Sequence, residues 1–213
     1  MDLRDENLEK YILEHIDSEP EYLKELVRDT NLYTLKPRML SGHLQGRILK
    51  MFCSMMSVER ILEIGTFTGY SALCMAEALP ETGELHTIEI NDEMEDFLLQ
   101  LFEKRDPSAK IKLHIGDAIQ IIPTIDGWFD VVFMDGNKRH YVEYYETVMP
   151  KLRLGGLIIA DNTLWDGHVL EETRDAQTVG IQKFNDLIMF DDRVEKVIIP
   201  VRDGMTLIRK IKN

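Results

Sequence analysis

Seven strand-like apolar runs, with helical patterns between the first six, predict an α/β fold: a doubly wound, mostly parallel seven-stranded sheet covered on both faces. The runs are "RILEI", "ELHTIEI", "KIKLHI", "FDVVFM", "GGLIIA", "RVEKVIIPV" and "GMTLIRKI". Only the short "PVRDGM" joins the last two, too little for a crossover helix, so they are expected to form a C-terminal antiparallel hairpin. Three helices precede the first strand as an N-terminal elaboration over residues 1–57. In the first, Leu8, Tyr11, Ile12 and Ile16 share one face. "SEPEYLKELV" opens the second, with Ser18 as cap and Pro20 in the first turn. In the third, Leu44, Ile48, Phe52 and Met55 recur at helical spacing. The helices between strands are read from "YSALCMAEAL", "DEMEDFLLQLFEKR", "DAIQIIPTI", "YVEYYETVM" and "GIQKFNDLIM".

The 213 residues show no linker, repeat or low-complexity stretch, so a single domain spanning 1–213 is expected. No apolar run approaches the roughly 20 residues of a membrane helix, and "MDLRDENLEK" is too acidic for a secretory signal. With Cys53 and Cys74 both inside apolar helical patterns, reduced buried thiols in a cytoplasmic protein are expected. A net charge of −13 gives no general attraction for polyanions, which disfavours nucleic acid except at a local basic patch.

Ligands of such a sheet bind outside the carboxyl ends of the strands, where Glu63, Glu89, Asp117, Asp135 and Asp161 fall. "ILEIGTFTGYSA" has the strand, turn, helix order of a nucleotide loop, but its glycines are Gly65 and Gly69, not the G-x-G-x-x-G of a dinucleotide site. E-x-G-x-x-x-G suits S-adenosylmethionine better. Glu63 would attract its amino group, while the helix N-terminus and Ser71 would bind its carboxylate. Glu89, 20 residues beyond Gly69, would accept the ribose hydroxyls, and "IGDA" would lie at the adenine edge. A tight turn without any cofactor is the competing reading.

Asp135 ends the fourth strand, and Asp161 with Asn162 the fifth. If these strands are neighbours, about 4.8 Å apart, three oxygen-bearing side chains converge. Crowded carboxylates call for a cation, and a hard oxygen set without Cys or His favours Mg²⁺, or Mn²⁺ or Ca²⁺, over Zn²⁺. Lys138, three residues beyond Asp135, can reach the same place to accept or relay a proton. The alternative is local: Asp161–Asn162 capping a loop, Asp135 paired with Lys138, or Lys138 solvated.

These segments, "LEIGTFTGYSALCMA", "TIEIN", "GDA", "FMDGNKRHY", "GGLIIADNTLWDG" and "PVRDGMTLIRK", together with "YILEH" and "MLSGHLQGR", resemble the cation-dependent class I O-methyltransferases, the group of caffeoyl-CoA and catechol O-methyltransferase. The resemblance runs from about residue 8 to the end and implies a Rossmann-like sheet. It implies cofactor contacts at Ser41, Glu63, Gly65, Thr66, Ser71, Glu89, Asp117, Ala118 and Asp135, metal ligation by Asp135, Asp161 and Asn162, and catalysis by Lys138 with Asp135. The implied reaction is methyl transfer from S-adenosylmethionine to a hydroxyl of a catechol-like small molecule with vicinal oxygens. Methylation of a tRNA 5-hydroxyuridine is the alternative, and a homodimer is the implied assembly. Two departures argue against plant-type thioester specificity: Asp166 stands where the plant enzymes have asparagine, and their longer N-terminal arm is shortened. Trp165 would either wall the acceptor or simply pack, His140 and His168 are expected in solvent, and residues 168–180 form a candidate lid.

Overall fold

The computed structural model describes residues 6–106, 108–172 and 175–213. Along the chain run α1 (Glu6–Glu14), α2 (Glu21–Tyr33), α3 (Gly42–Met56), β1 (Arg60–Ile64), α4 (Tyr70–Ala76), β2 (Glu84–Glu89), α5 (Glu95–Arg105) and β3 (Ile111–Ile115). Then come α6 (Ala118–Ile121), β4 (Phe129–Met134), α7 (Tyr141–Val148), β5 (Leu152–Ala160), α8 (Ala176–Phe190), β6 (Val194–Ile199) and β7 (Met205–Lys210). The strands form one seven-stranded sheet in the order β3-β2-β1-β4-β5-β7-β6. The first five are parallel; β7 pairs antiparallel with both β5 and β6, giving the expected hairpin.

Period-2 alternation builds two cores, one on each face of the sheet. Leu62, Val132, Met134, Ile158 and Ala160 face one, which α7 and α8 close with Tyr141, Tyr145, Ile181 and Phe184. Ile61, Val131, Phe133, Leu157 and Ile159 face the other, closed by Leu23 and Leu26 of α2, Leu49 and Cys53 of α3, and residues of α4 and α5. The N-terminal helices α2 and α3 therefore share the sheet's own core. Both thiols are free and buried, and burial pushes each up to about 12.

The structure refines two expectations and corrects one, the Ser18 cap. The buried face of α3 is Gln45, Gly46, Leu49 and Cys53; Leu44, Ile48 and Phe52 are only half-buried and Met55 is exposed. The helix carries two apolar stripes, and the one containing small Gly46 packs against α4. Ser18 caps nothing: Pro20 itself is the N-cap residue of α2, with no side-chain cap bond. In and before the candidate lid, Trp165–Leu170 make short 3₁₀ turns broken by a kink at Asp166 and Gly167, and α8 begins at Ala176, capped by Asp175 accepting from Thr178 N at 2.8 Å. Within that lid Thr173 and Arg174 lie outside the described residues. Among the described residues no helix is long and apolar enough to cross a membrane.

Candidate active site

Strand order reverses between β1 and β4, and the crevice at their carboxyl ends is where an open α/β sheet binds ligands. Gly65 sits there at φ +99°, and a Cβ on it would lie 2.5 Å from the carbonyl oxygen of Asp135, so only glycine lets the two strand ends close. Asp135 N donates to Ile64 O at 2.9 Å, locking that contact. Glu63, the penultimate residue of β1, is wholly buried, and Thr87 Oγ1 donates to its Oε2 at 2.5 Å. Its other oxygen, Oε1, has no hydrogen-bond partner. Burial pushes this carboxyl up to about 8, against the opposing pull of the Ser71 and Thr87 hydroxyls. An unmet, buried carboxylate oxygen is what a ligand's ammonium group would satisfy.

Glu89 ends β2 and holds the glycine turn from the other side. Its Oε2 accepts from Phe67 N at 2.7 Å and its Oε1 from Asn91 N at 2.9 Å. Each oxygen keeps a lone pair for a further donor such as a ribose hydroxyl. Asp117 caps α6 by accepting from Ile119 N at 2.9 Å, which leaves Ala118 buried in the first turn. Ser41, Gly65, Thr66, Ser71 and Asp135 line one narrow cavity of about 10 Å³, roofed by Met39 and Leu40.

Parallel pairing of β4 and β5 aligns Met134 with Ala160 and so brings Asp135 and Asp161 to adjacent strand ends. Asp135 Oδ1 accepts from Lys138 Nζ at 2.6 Å, and Lys138 Nζ also donates to Tyr141 Oη at 2.7 Å. The Tyr141 hydroxyl passes the chain on to Asp161 O at 2.9 Å. Burial pushes the Asp135 carboxyl up to about 6; Lys138 pulls it down and the neighbouring Asp161 pushes it up. Asp161 is buried, accepting from Gln45 Nε2 on Oδ2 at 2.7 Å and from Asn162 N on Oδ1 at 2.9 Å. Both local alternatives, the Asp135–Lys138 pair and the Asp161 cap, therefore exist alongside the convergence. Among the described residues no three His, Cys, Asp or Glu side chains gather as a metal site. The expected set has only two acids, completed by the Asn162 amide. It fits a hard divalent cation by its chemistry: two carboxylates at adjacent strand ends and an amide carbonyl make an all-oxygen donor set.

A sequence model of the family described as O-methyltransferase matches residues 13–211. This chain belongs to that O-methyltransferase family. Caffeoyl-CoA O-methyltransferase 1 of Zea mays is 34% identical, over 99% of this chain and 87% of that relative. The caffeoyl-CoA O-methyltransferase of Pinus taeda is 33% identical, over 98% and 86% respectively. Among solved structures, an O-methyltransferase from Streptomyces achromogenes involved in tomaymycin synthesis, in complex with SAM, superposes with a TM-score of 0.89 at 28% identity, over 96% of both chains. A methyltransferase from Podospora anserina bound to SAH gives 0.88 at 28%, over 96% of this chain and 94% of that one.

This O-methyltransferase has a second cavity, of about 460 Å³, formed by the segment that follows β5, the start of α8 and the β6–β7 turn. Trp165, Asp166, His168, Glu171, Asp175, Thr178 and Asp203 line it. Leu164 N donates to Asp203 O at 2.8 Å, joining the segment after β5 to the β6–β7 turn. Asp166 at φ +51° and Trp165 at φ +47° mark a tight, irregular turn, with Trp165 packed against the α7–α8 core. His168 is exposed and bonds Glu171 at 2.9 Å, which raises its proton affinity, while exposed His140 lies near the Tyr144 ring. Three participants escaped the sequence reading: Gln45, Tyr141 and Arg202. Tyr141 is hidden in an aromatic helix pattern, and nothing in the spacing of Gln45 or Arg202 announces that Gln45 meets Asp161 or that Arg202 meets Gln45.

Proposed function

We propose that this methyltransferase moves the methyl group of S-adenosylmethionine onto one hydroxyl of a catechol-like small molecule with vicinal oxygens, in a divalent-cation-dependent reaction. The observation that carries this reading is the convergence of Asp135, Lys138 and Asp161 at neighbouring strand ends beside the Gly65 turn. Asp135, Asp161 and Asn162 would hold the cation, Mg²⁺ first by donor hardness. Glu63 would bind the cofactor's ammonium, Glu89 its ribose, and Ser41, Gly65, Thr66, Ser71, Asp117 and Ala118 would enclose the rest. When bound, the cofactor supplies an electrophilic sulfonium methyl, and the cation lowers the cost of ionising the acceptor hydroxyl. Lys138 Nζ, fixed between Asp135 and Tyr141, holds or moves the acceptor's proton.

The acceptor enters through the larger cavity, where Asp166, Glu171, Asp175 and Asp203 repel a polyanion. A coenzyme A thioester, with its phosphates, is disfavoured there, and the same field opposes tRNA. Labelled S-adenosylmethionine with Mg²⁺ should label catechol, but not caffeoyl-CoA or bulk tRNA, and EDTA should remove the activity. Label in tRNA alone, or full activity in EDTA, would defeat the reading.

Cofactor binding should depend on pH through Glu63. In the free protein this carboxyl holds its proton up to about pH 8, whereas an ammonium partner favours the ionised form. Binding therefore releases a proton below that pH, and affinity for S-adenosylhomocysteine rises between about pH 6 and 8. Glu63→Gln should flatten the profile in calorimetry; an unchanged slope would remove Glu63 from the ammonium site. The exposed apolar side chains of the N-terminal layer, Leu32, Tyr33, Leu35, Met51 and Met55, favour a homodimer. Light scattering at a monomer's mass across micromolar concentrations would contradict that assembly.

A further inference from the structure

Gln45 is 1% exposed in the first turn of α3, and both ends of its amide are engaged. Nε2 donates to Asp161 Oδ2 at 2.7 Å and Oε1 accepts from Arg202 Nη1 at 2.6 Å. This amide cannot be flipped: a carboxylate only accepts and a guanidinium only donates, so nitrogen must face Asp161 and oxygen must face Arg202. Arg202 stands in the β6–β7 turn at φ +51°, a backbone region that is costly for a long side chain, and it also donates to the carbonyls of Leu40 and Ser41. Three segments far apart in sequence, at 202, 45 and 161, are thus linked in one relay that runs from Arg202 through the Gln45 amide to the Asp161 carboxylate. With Asn162 N on its other oxygen, the Asp161 side chain is fixed in rotation.

We propose that Gln45 and Arg202 are positioning residues: Arg202 orients the Gln45 amide, and Gln45 orients the Asp161 carboxylate toward the divalent cation. The inference rests on the metal-dependent reading above and adds how the ligand is aimed. Groups that hold a metal ligand in place typically contribute about 10–100-fold in metal affinity. The contacts to Gln45 Oε1 and to the carbonyls of Leu40 and Ser41 all leave from the one nitrogen Nη1, so a lysine ammonium at 202 can still donate to Gln45 Oε1, though from a shorter and more flexible side chain.

Titrating Mn²⁺ into the full-length protein, followed by electron paramagnetic resonance, tests this without turnover. Gln45→Leu and Arg202→Met should each weaken Mn²⁺ by about 10–100-fold while still binding S-adenosylhomocysteine. Arg202→Lys should recover part of the loss, a rescue that a merely structural contact would not give. Should either variant fold poorly by circular dichroism, Arg202→Gly replaces it, because glycine takes φ +51° without strain. Loss of Mn²⁺ affinity in that folded variant supports the proposal, and wild-type affinity in it overturns the proposal alone. If the unaltered protein binds no Mn²⁺, the metal reading itself falls and takes the positioning role with it.

Discussion

Asp161→Asn should lower kcat/KM for methyl transfer by about 10³-fold while the protein still binds S-adenosylhomocysteine. Charge stabilisation of an ionising acceptor by a bound cation is worth several kcal/mol, and each 1.36 kcal/mol is tenfold in rate. Asparagine keeps the shape of Asp161 but removes one of the two negative charges and a strong oxygen ligand. The cofactor side is untouched, because Glu63, Gly65 and Glu89 reach their partners without Asp161. Two secondary effects follow. Asp161 accepts from Gln45 on one oxygen and from Asn162 N on the other, so the new amide must turn its NH₂ toward one of these donors. That mismatch costs about 1–3 kcal/mol, which thermal unfolding would detect. The Asp135 carboxyl, relieved of its negative neighbour, should also fall from its raised position near 6. Activity within tenfold of the parent enzyme would exclude Asp161 from the chemistry.

Lys138→Met should cost about 10²–10⁴-fold in kcat, the range for a positioned proton-transfer group. Lys138 Nζ bonds both Asp135 Oδ1 and the Tyr141 hydroxyl, and its side chain is 8% exposed. Removing it leaves Asp135 without its cationic partner, so that carboxyl rises further and the cation site weakens at low pH. The pH profile separates proton transfer from simple charge. A phenolic acceptor ionises unaided near about pH 10, so the deficit of Lys138→Met should shrink steadily as pH rises. Arginine at 138 keeps the positive charge but does not give up its proton. Wild-type rates in Lys138→Arg would make the lysine an electrostatic prop and sink the relay.

Much of this arrangement is legible in the chain because each site residue sits where an apolar run stops. The alternation of Leu62, Glu63 and Ile64 sets the strand, and the turn glycines follow it directly. Nearness of Asp135 and Asp161 is a different matter, because it depends on β4 and β5 being neighbours, a property of strand order rather than of either strand. Which face of α3 is most deeply buried was not legible for a related reason. Spacing identifies an apolar stripe, yet which stripe is covered depends on where a helix can approach most closely, and Gly46 decides that. Gln45 and Arg202 were invisible because a polar side chain looks solvated until a partner is known. Arg202 occupies a left-handed turn position where glycine or asparagine is the usual signal. Within the candidate lid, Asp175 caps α8, a role that looks like ordinary polarity in the sequence.

Gly180 lies in the first half of α8, and a Cβ there would fall 2.3 Å from the carbonyl oxygen of Lys138 and 2.9 Å from Arg139 Cα. The turn that carries Lys138 thus rests on bare helix backbone, with no side chain to act as a cushion. Shifts of α8 along its axis are transmitted directly to the ammonium beside Asp135, and the polar stretch leading into that helix becomes a lever on lysine geometry. Even alanine at 180 would therefore push the lysine off its mark.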